Sequence, residues 1–279
     1  MDIKVNFSQF YSVKTAVAAV LIGTAPLCFI STAHGAIQNE VQVLAVDAEG
    51  ADDNLIGAQY IRYLDAVQSN TGAYLINPYL QRVSSLSGGY YTVDDLDVFT
   101  LGSTFYLNQE WMIDLQGLHT KSDGMYGDIE NTSVDFKVGF NLIPEWQIGA
   151  GLIYQRASYD FNDGVDIFKE RYKETSAMAF TRYTTVNKMG TGWDLTAEYI
   201  AYDADTLSAT ARYFFSPGFS IAGTYTFVNG IDDLDNDNSA GIELDYWFNE
   251  QFSIKASFEK DLDNDDGSDI ASLTASYRF

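Results

Sequence analysis

The clearest structural signal in this chain is the segment Ser272-Leu273-Thr274-Ala275-Ser276-Tyr277-Arg278-Phe279. Apolar side chains occupy every second position, and the positions between them carry hydroxyl groups or a charge. Side chains alternate between the two faces of a β-strand, so this spacing predicts a strand with one apolar and one polar face. The apolar face consists of Leu273, Ala275, Tyr277 and Phe279.

The same alternation recurs along most of the chain. Segments 111–118, 133–142 and 146–155 each place an apolar residue at every second position. Later segments repeat the pattern, over 193–199, 207–215, 219–227, 240–248 and 252–258. A series of segments of about ten residues with this period is typical of a transmembrane β-barrel.

The connections between these segments fall into two classes. Four are short and polar, and each is followed by an aromatic residue: 108–110 before Trp111, 144–145 before Trp146, 216–218 before Phe219 and 249–251 before Phe252. Four others are mostly longer and acidic: 121–130, 159–173, 229–238 and 261–268. Because outer-membrane barrels have short periplasmic turns, longer external loops and aromatic girdles, this sorting favours a membrane barrel over a soluble sandwich. The longest loop, 159–173, is expected to be an ordinary external loop; the alternative is an inward fold that narrows the pore.

The alternation predicts an all-β, antiparallel up-and-down barrel of about fourteen strands. They are expected over 38–47, 54–65, 81–93, 96–107, 111–120, 131–143, 146–157, 174–186, 192–202, 205–215, 219–228, 239–248, 251–260 and 269–279. The stretch from Ala66 to Leu80 is long for a periplasmic turn, and if one early hairpin lies outside the barrel the count falls to twelve. No residues are expected to be spare for a plug.

The beginning of the chain has the order of a secretory signal peptide. Lys4 and Lys14 precede an apolar run over 15–30, and small residues follow over 31–36. We therefore predict a leader over residues 1–35 and an outer-membrane barrel over 36–279. The only cysteine, Cys28, lies in the leader, so no disulfide is expected.

Composition restricts the function further. The formal net charge of −23 argues against nucleic acid as a partner. Aromatic residues make up 15% of the chain, which is unlike a disordered acidic protein. No apolar run after the leader is long enough for a membrane helix, so a membrane-spanning form would have to be a β-barrel.

The polar faces of the predicted strands carry many charges, which would be costly in a sealed dry core and cheap in a water-filled channel. The predicted pore-lining residues are Asp114, Asp135, Lys137, Asp194, Glu198, Arg212, Glu243, Asp245, Lys255, Glu259 and Arg278. Acids outnumber bases in this set, and the external loops are acidic, so a preference for cations is expected.

The hairpin series and the final Tyr277-Arg278-Phe279 resemble Gram-negative outer-membrane porins. The segment from Pro78 to Leu86 is similar to one found in a group of general bacterial porins from gammaproteobacteria. The resemblance implies passive diffusion of ions and small hydrophilic solutes, with no catalytic residues and no cofactor. It also implies contact with outer-membrane lipid and lipopolysaccharide. Leu273, Ala275, Tyr277 and Phe279 resemble the insertion signal that the barrel-assembly machinery reads.

Two other functions remain as alternatives. A substrate-specific channel of the oligosaccharide type would need aromatic residues along the lumen, and parity allows Tyr90, Tyr106, Phe180, Phe214 and Trp247. A barrel hydrolase would need a histidine base. The mature chain has only His119, whose parity points to the outer face, so the protein is not expected to be an enzyme.

Two acidic stretches are the candidates for metal binding. Asp233, Asp235 and Asp237 alternate in one, and Asp261, Asp263 and Asp265 alternate in the other. Neither has the glycine at the sixth position or the glutamate at the twelfth that a helix-loop-helix calcium loop requires. Solvated turns are the expected reading, and no metal site is predicted. The oligomeric state is left open.

Overall fold

A computed structural model describes residues 37–48, 53–68, 72–124, 127–162, 167–201, 204–229, 236–263 and 269–279. The predicted leader lies outside these residues. Over 123–124, 127, 161–162 and 167–168 the structure describes the backbone alone.

The chain forms one closed barrel of fourteen antiparallel strands, in which each strand pairs with the next and β1 pairs with β14. The strands are β1 Ile37–Ala48, β2 Leu55–Val67, β3 Ser85–Val93, β4 Leu96–Tyr106, β5 Trp111–Gly124, β6 Gly127–Ile143, β7 Trp146–Asn162, β8 Ile167–Thr184, β9 Gly192–Ala201, β10 Thr206–Ser216, β11 Phe219–Val228, β12 Asp237–Trp247, β13 Phe252–Asp261 and β14 Ile270–Arg278. The predicted fourteen-stranded up-and-down barrel is confirmed, and the twelve-stranded alternative is excluded because both early hairpins belong to the ring. No helix in the part of the chain that the structure describes is both long and apolar enough to span a bilayer.

The outer face of the barrel is apolar because the period-2 pattern places one apolar set outside on every strand. Leu273 and Phe279 are strongly exposed there, and Ala275 and Tyr277 lie between them on the same face. The backbone carbonyl of Phe279 accepts hydrogen bonds from the amides of Gln38 and Asn39, at 3.0 and 2.9 Å. These bonds join the end of β14 to the start of β1 and close the ring.

A belt of aromatic rings follows the barrel edge at the end where the connections are short. Trp193 contacts Tyr213 at 4.9 Å between ring centroids, and Tyr213 contacts Phe215 at 4.8 Å. The chain of contacts continues through Phe219, Tyr246, Phe248 and Phe252. Trp111 and Phe140 form a further pair at 4.7 Å. We call this edge the short-turn end and the opposite edge the long-strand end.

At the long-strand end, two of the predicted loops are mainly strand. β5 and β6 stay in register as far as Gly124 and Gly127, and β7 and β8 as far as Asn162 and Ile167. The prediction of loops over 121–130 and 159–173 is therefore wrong for most of these residues. The strict alternation is interrupted here, because Lys121, Lys169 and Arg171 occupy outward positions that are apolar nearer the short-turn end. The paired hairpin of β7 and β8 also does not fold inward over its described residues.

At the short-turn end, the long connection between β2 and β3 lies across the mouth of the barrel. We call residues 72–83 the mouth segment; it contains a 3₁₀ turn, Tyr74–Ile76, and a single helical turn, α1 Asn77–Leu80. The amide of Tyr74 donates to the carbonyl of Pro217 at 2.8 Å, in the turn between β10 and β11 on the far side of the ring. The expectation that no residues are spare for a plug is thus wrong.

Candidate functional site

The interior of the barrel holds several networks of charged side chains. Cross-strand pairing and the burial pattern place all eleven predicted pore-lining residues on the inner face. Six of them are buried: Asp194, Arg212, Glu243, Asp245, Lys255 and Arg278. The expectation that these charges face open water does not hold for the six, because they are packed into ion pairs and hydrogen-bond networks.

The first network lies at the seam between β1 and β14. The guanidinium of Arg278 donates to the carboxylate of Glu40 at 2.6 Å, and the Tyr63 hydroxyl donates to the same carboxylate at 2.6 Å. The side chains of Arg278 and Glu40 are only 4% and 2% exposed. Arg278 also lies over the ring of Trp247, at 4.1 Å from its centroid. A buried ion pair keeps its charges only with such additional partners.

A second network links β10, β11, β12 and β13. Arg212 forms an ion pair with Glu243 and donates to the Ser220 hydroxyl at 3.0 Å. Asp245 and Lys255 are directly opposite each other on β12 and β13. Opposite charges thus alternate across this wall of the barrel and compensate one another.

A third network joins β8 and β9. Arg182 donates to both carboxylate oxygens of Asp194, at 2.8 and 2.9 Å, and the Thr184 hydroxyl donates to the same group at 2.6 Å. Such bidentate pairs are the strongest and most directional ion pairs in proteins. They fix the guanidinium of Arg182 in position to contact the mouth segment.

The remaining predicted residues lie in a less buried part of the interior. Lys137 on β6 reaches past two strands to Glu198 on β9, at 2.6 Å. Between these strands, Gly149 and Gly151 occupy inner positions of β7, where the side chains of Phe180 and Met178 from β8 lie over them. Asp114 accepts from the Thr104 hydroxyl, Asp135 from Ser133 and Glu259 from Ser239, at 2.6, 2.8 and 2.5 Å.

The mouth segment is fastened by these same networks. Arg278 donates to the backbone carbonyl of Tyr74 at 2.6 Å, and the Arg182 guanidinium stacks on the ring of Tyr79 at 3.5 Å from its centroid. Burial, together with the negative charge of Glu250, raises the pKa of Tyr74, so its hydroxyl stays neutral. An apolar cluster of Ala73, Ile76 and Phe214 seals the contact. The segment therefore narrows the passage at the short-turn end.

One side of the interior, further from the mouth segment, is apolar. Leu44, Val46, Tyr91, Val98 and Ile270 pack together on the inner faces of β1, β3, β4 and β14. The Tyr91 ring lies over Gly57, where an added Cβ would come within 2.2 Å of it. This side of the barrel is filled by side chains, as in narrow barrels.

Several functional contacts escaped the sequence analysis. Glu40, Tyr63, Arg182 and Tyr79 were not among the predicted residues, although the parity of Glu40 with Gln42 and of Arg182 with Phe180 could have identified two of them. Among the five aromatics considered for a lumen track, the prediction for Tyr90 is wrong. Tyr90 points outward and stacks with Phe99 at 4.9 Å between centroids.

The described residues considered for catalysis and metal binding do not belong to the interior networks. His119 lies on the outer face in cross-strand register with Phe99, and its Nδ1 is 3.0 Å from the Thr132 hydroxyl. Within the described ranges, no group of three or more His, Cys, Asp or Glu side chains is arranged to hold a metal. Asp233, Asp235 and Asp265 lie outside those ranges.

Comparisons with known proteins agree with the architecture. No protein-family model matches the chain. No curated protein matches it in sequence. The outer membrane protein Omp33 of Acinetobacter baumannii superimposes with a TM-score of 0.59 at 16% identity, covering 88% of this chain and 99% of that one. The CymD monoaromatic hydrocarbon channel gives a TM-score of 0.51 at 7% identity, covering 87% of this chain and 88% of that one.

At such low identities the likeness concerns the fold alone. It confirms the predicted resemblance to Gram-negative outer-membrane porins as a resemblance of fold. The chain therefore shares the barrel fold of these outer-membrane proteins. The narrower similarity of Pro78 to Leu86 to one porin group stays a prediction.

Proposed function

We propose that this protein is an outer-membrane channel for passive diffusion of ions and small hydrophilic solutes. The observation that carries the proposal is the closed ring with an apolar outer face and a charged inner face. An apolar exterior of this kind is stable against lipid, whereas the inner charges favour polar solutes and water. The predicted leader over 1–35 supports export, and short turns in this class of barrel face the periplasm.

The path through the proposed channel is narrow. The mouth segment, the buried ion pairs and the apolar cluster each occupy part of the cross-section. Such a passage suits ions and small solutes and should conduct far less than a wide porin. Passage of larger solutes would require displacement of the mouth segment.

Cation preference is part of the proposal. The interior set of seven acids and four bases gains one acid and one base when Glu40 and Arg182 are added, so the excess of acids is unchanged. Fixed negative charge along a passage concentrates cations and repels anions, and salt screens the effect. The acidic long-strand end adds to this field.

The test is recording from the purified barrel in a planar lipid bilayer. We expect small, stable current steps and a reversal potential of cationic sign in a salt gradient. The absence of steps from well-folded protein would contradict the channel, and anion preference would contradict the charge argument alone. Current block by an oligosaccharide, but not by an equal mass of polyethylene glycol, would favour the substrate-specific alternative.

Two partners follow from the proposal. Outer-membrane lipid and lipopolysaccharide would surround the apolar face. The barrel-assembly machinery would read the outer face of β14, made of Leu273, Ala275, Tyr277 and Phe279.

A further inference from the structure

Basic residues are unevenly distributed over the outer face of the barrel. The whole chain has 16 Lys and Arg residues against 39 Asp and Glu. On the outer face of β5, β7 and β8 at the long-strand end, however, five bases lie close together. They are Lys121, Arg156, Lys169, Arg171 and Lys173. We call this group the basic face.

The position of the basic face relative to the apolar band is defined by strand register. At the short-turn end Trp146 pairs with Tyr183, and ten residues further along the same two strands Arg156 pairs with Lys173. Ten residues at ~3.3 Å each, on strands tilted by ~40°, rise ~25 Å, which is the height of the apolar band in such barrels. Arg156 and Lys173 therefore lie at the level of the lipid headgroups.

On β11 and β12 no base occupies this level, and the outward base on β13, Lys260, lies one cross-strand row lower and pairs with Asp269 at 3.6 Å. Ten residues from Phe219 on β11 and from Phe248 next to β12, the corresponding outward positions are Asn229 and Asn238. Directly below Arg156 and Lys173, the outward pair is Tyr154 and Thr175. The basic face thus begins at the upper limit of the apolar band, and its five bases lie on three neighbouring parts of the wall, β5, β7 and β8.

Beyond the Arg156–Lys173 pair, further from the apolar band, the outer face forms a pocket rather than a uniform charged surface. The next cross-strand row consists of Lys121, Glu130, Ser158 and Arg171. A cleft of about 140 Å³ lies beside it, lined by Asp128, Glu130, Arg156, Ser158, Asp160 and Arg171. Lys169 is held by an ion pair with Asp160, which leaves the two arginines at the lower side of the cleft. Two guanidinium groups and a serine hydroxyl are suitable donors for a phosphate. The carboxylates that share the cleft lie on its other side: Asp160 pairs with Lys169, Glu130 lies opposite Lys121, and Asp128 lies one cross-strand row further from the apolar band.

We propose that the basic face binds a phosphate group of an outer-leaflet lipid headgroup, such as the phosphorylated glucosamines of lipopolysaccharide. Arg156 and Lys173 contact the phosphate from the top of the apolar band, and Arg171 contacts it from the cleft. The acyl chains of the same lipid lie against the apolar surface below, on the outer faces of β7 and β8. The inference rests on the membrane placement made under Proposed function, but it does not require that the barrel conduct.

The test measures lipid binding directly. Detergent-purified protein is titrated with diphosphorylated lipid A, and the bound fraction is read by native mass spectrometry. The double variant Arg156→Gln with Lys173→Gln should bind roughly thirtyfold more weakly, because each base near an anionic lipid surface contributes about a fivefold change in affinity. The matched control is Lys260→Gln, which removes an outward base on β13, and it should bind like the wild type.

Further control experiments separate loss of charge from loss of folding, and lipid binding from binding of a free anion. The exchange Arg156→Lys with Lys173→Arg keeps both charges and should retain most of the binding, which separates loss of charge from loss of folding. Lipid A from which both phosphates have been removed should bind wild type and double variant equally weakly. Equal binding of the phosphorylated lipid by wild type and double variant would overturn the proposal, as would an equal loss in Lys260→Gln. Inorganic phosphate that binds as tightly as the lipid would show a free-anion site instead and would also overturn it.

Discussion

Two almost fully buried charges, Glu40 and Arg278, hold two distant parts of the chain together. Glu40 also accepts a hydrogen bond from Tyr63. Arg278 also lies over the Trp247 ring and donates to the carbonyl of Tyr74. The pair is costly to desolvate, so its value lies in fixing the geometry of the seam and the mouth segment.

Removing one partner of this pair should be strongly destabilising. Glu40→Ala leaves Arg278 buried without its counter-charge and should lower the free energy of unfolding by about 3–5 kcal/mol. Urea titration of the barrel in detergent, followed by tryptophan fluorescence, measures this. Glu198→Gln is the comparison, because the Lys137–Glu198 pair is 22% and 31% exposed and such pairs contribute only about 0–1 kcal/mol. Equal losses in the two variants would contradict the distinction.

Glycines on the two faces of the barrel should respond differently to a methyl group. A Cβ at Gly149 would lie 2.2 Å from the Phe180 ring and 2.4 Å from the Val138 carbonyl, whereas a Cβ at Gly223 would meet nothing within 4 Å. Gly149→Ala should therefore cost about 1–3 kcal/mol of stability through overpacking. Gly223→Ala should be neutral or slightly stabilising. The temperature at which each variant loses its folded mobility on a gel measures both effects, and a larger loss for Gly223→Ala would refute the packing argument.

At the scale of elements, the mouth segment is the feature that most alters the expected function. It is a connection between neighbouring strands, yet it reaches turns on the opposite side of the ring through Lys188 and Pro217. Its apolar residues and its stacking with Arg182 hold it in the passage.

Loosening this element should enlarge the channel. Replacing residues 73–80 by a Gly-Ser stretch of equal length removes the apolar contacts and the Tyr79 ring while keeping the connection between β2 and β3. Single-channel conductance in a planar bilayer should rise severalfold. A Gly-Ser replacement of 249–251, a turn that does not cross the mouth, is the control. Unchanged conductance in the first variant would mean that the limiting passage lies elsewhere.

Elements differed in how far the sequence revealed them. The number of strands and the direction of their side chains were predictable from the alternation. An apolar residue at every second position identifies a strand, and in a barrel with an apolar exterior these residues point outward. The extensions of β5 to β8 were missed because charged residues such as Lys121, Lys169 and Arg171 occupy outward positions there, which interrupts the alternation. The mouth segment was missed because its partners, such as Pro217, are far away in sequence and depend on the closed ring. The pairing of Glu40 with Arg278 depended on register across the seam for the same reason.

At the scale of the whole molecule, the outer face of β14 is expected to guide assembly. Phe279→Ala should reduce the fraction of barrel that reaches its folded form in the outer membrane, measured by heat-modifiable mobility of membrane fractions. Phe219→Ala removes a ring from the aromatic belt at the same end of the barrel and serves as the comparison. A selective defect in Phe279→Ala supports recognition of β14, whereas equal defects would indicate that only the belt matters.

The joint between β1 and β14 also constrains the order of events as the protein matures. Partners such as Glu40 and Arg278 are separated by 238 positions, so the entropic cost of bringing them together is among the highest in the chain. Hairpins between consecutive strands can form locally and early, whereas this joint carries the closure cost of the whole intervening chain and is expected to form late. The Glu40–Arg278 ion pair, Tyr63 and the backbone hydrogen bonds of Phe279 therefore close the barrel at a late stage. If an earlier hairpin fails to form, the sheet stays open between β1 and β14.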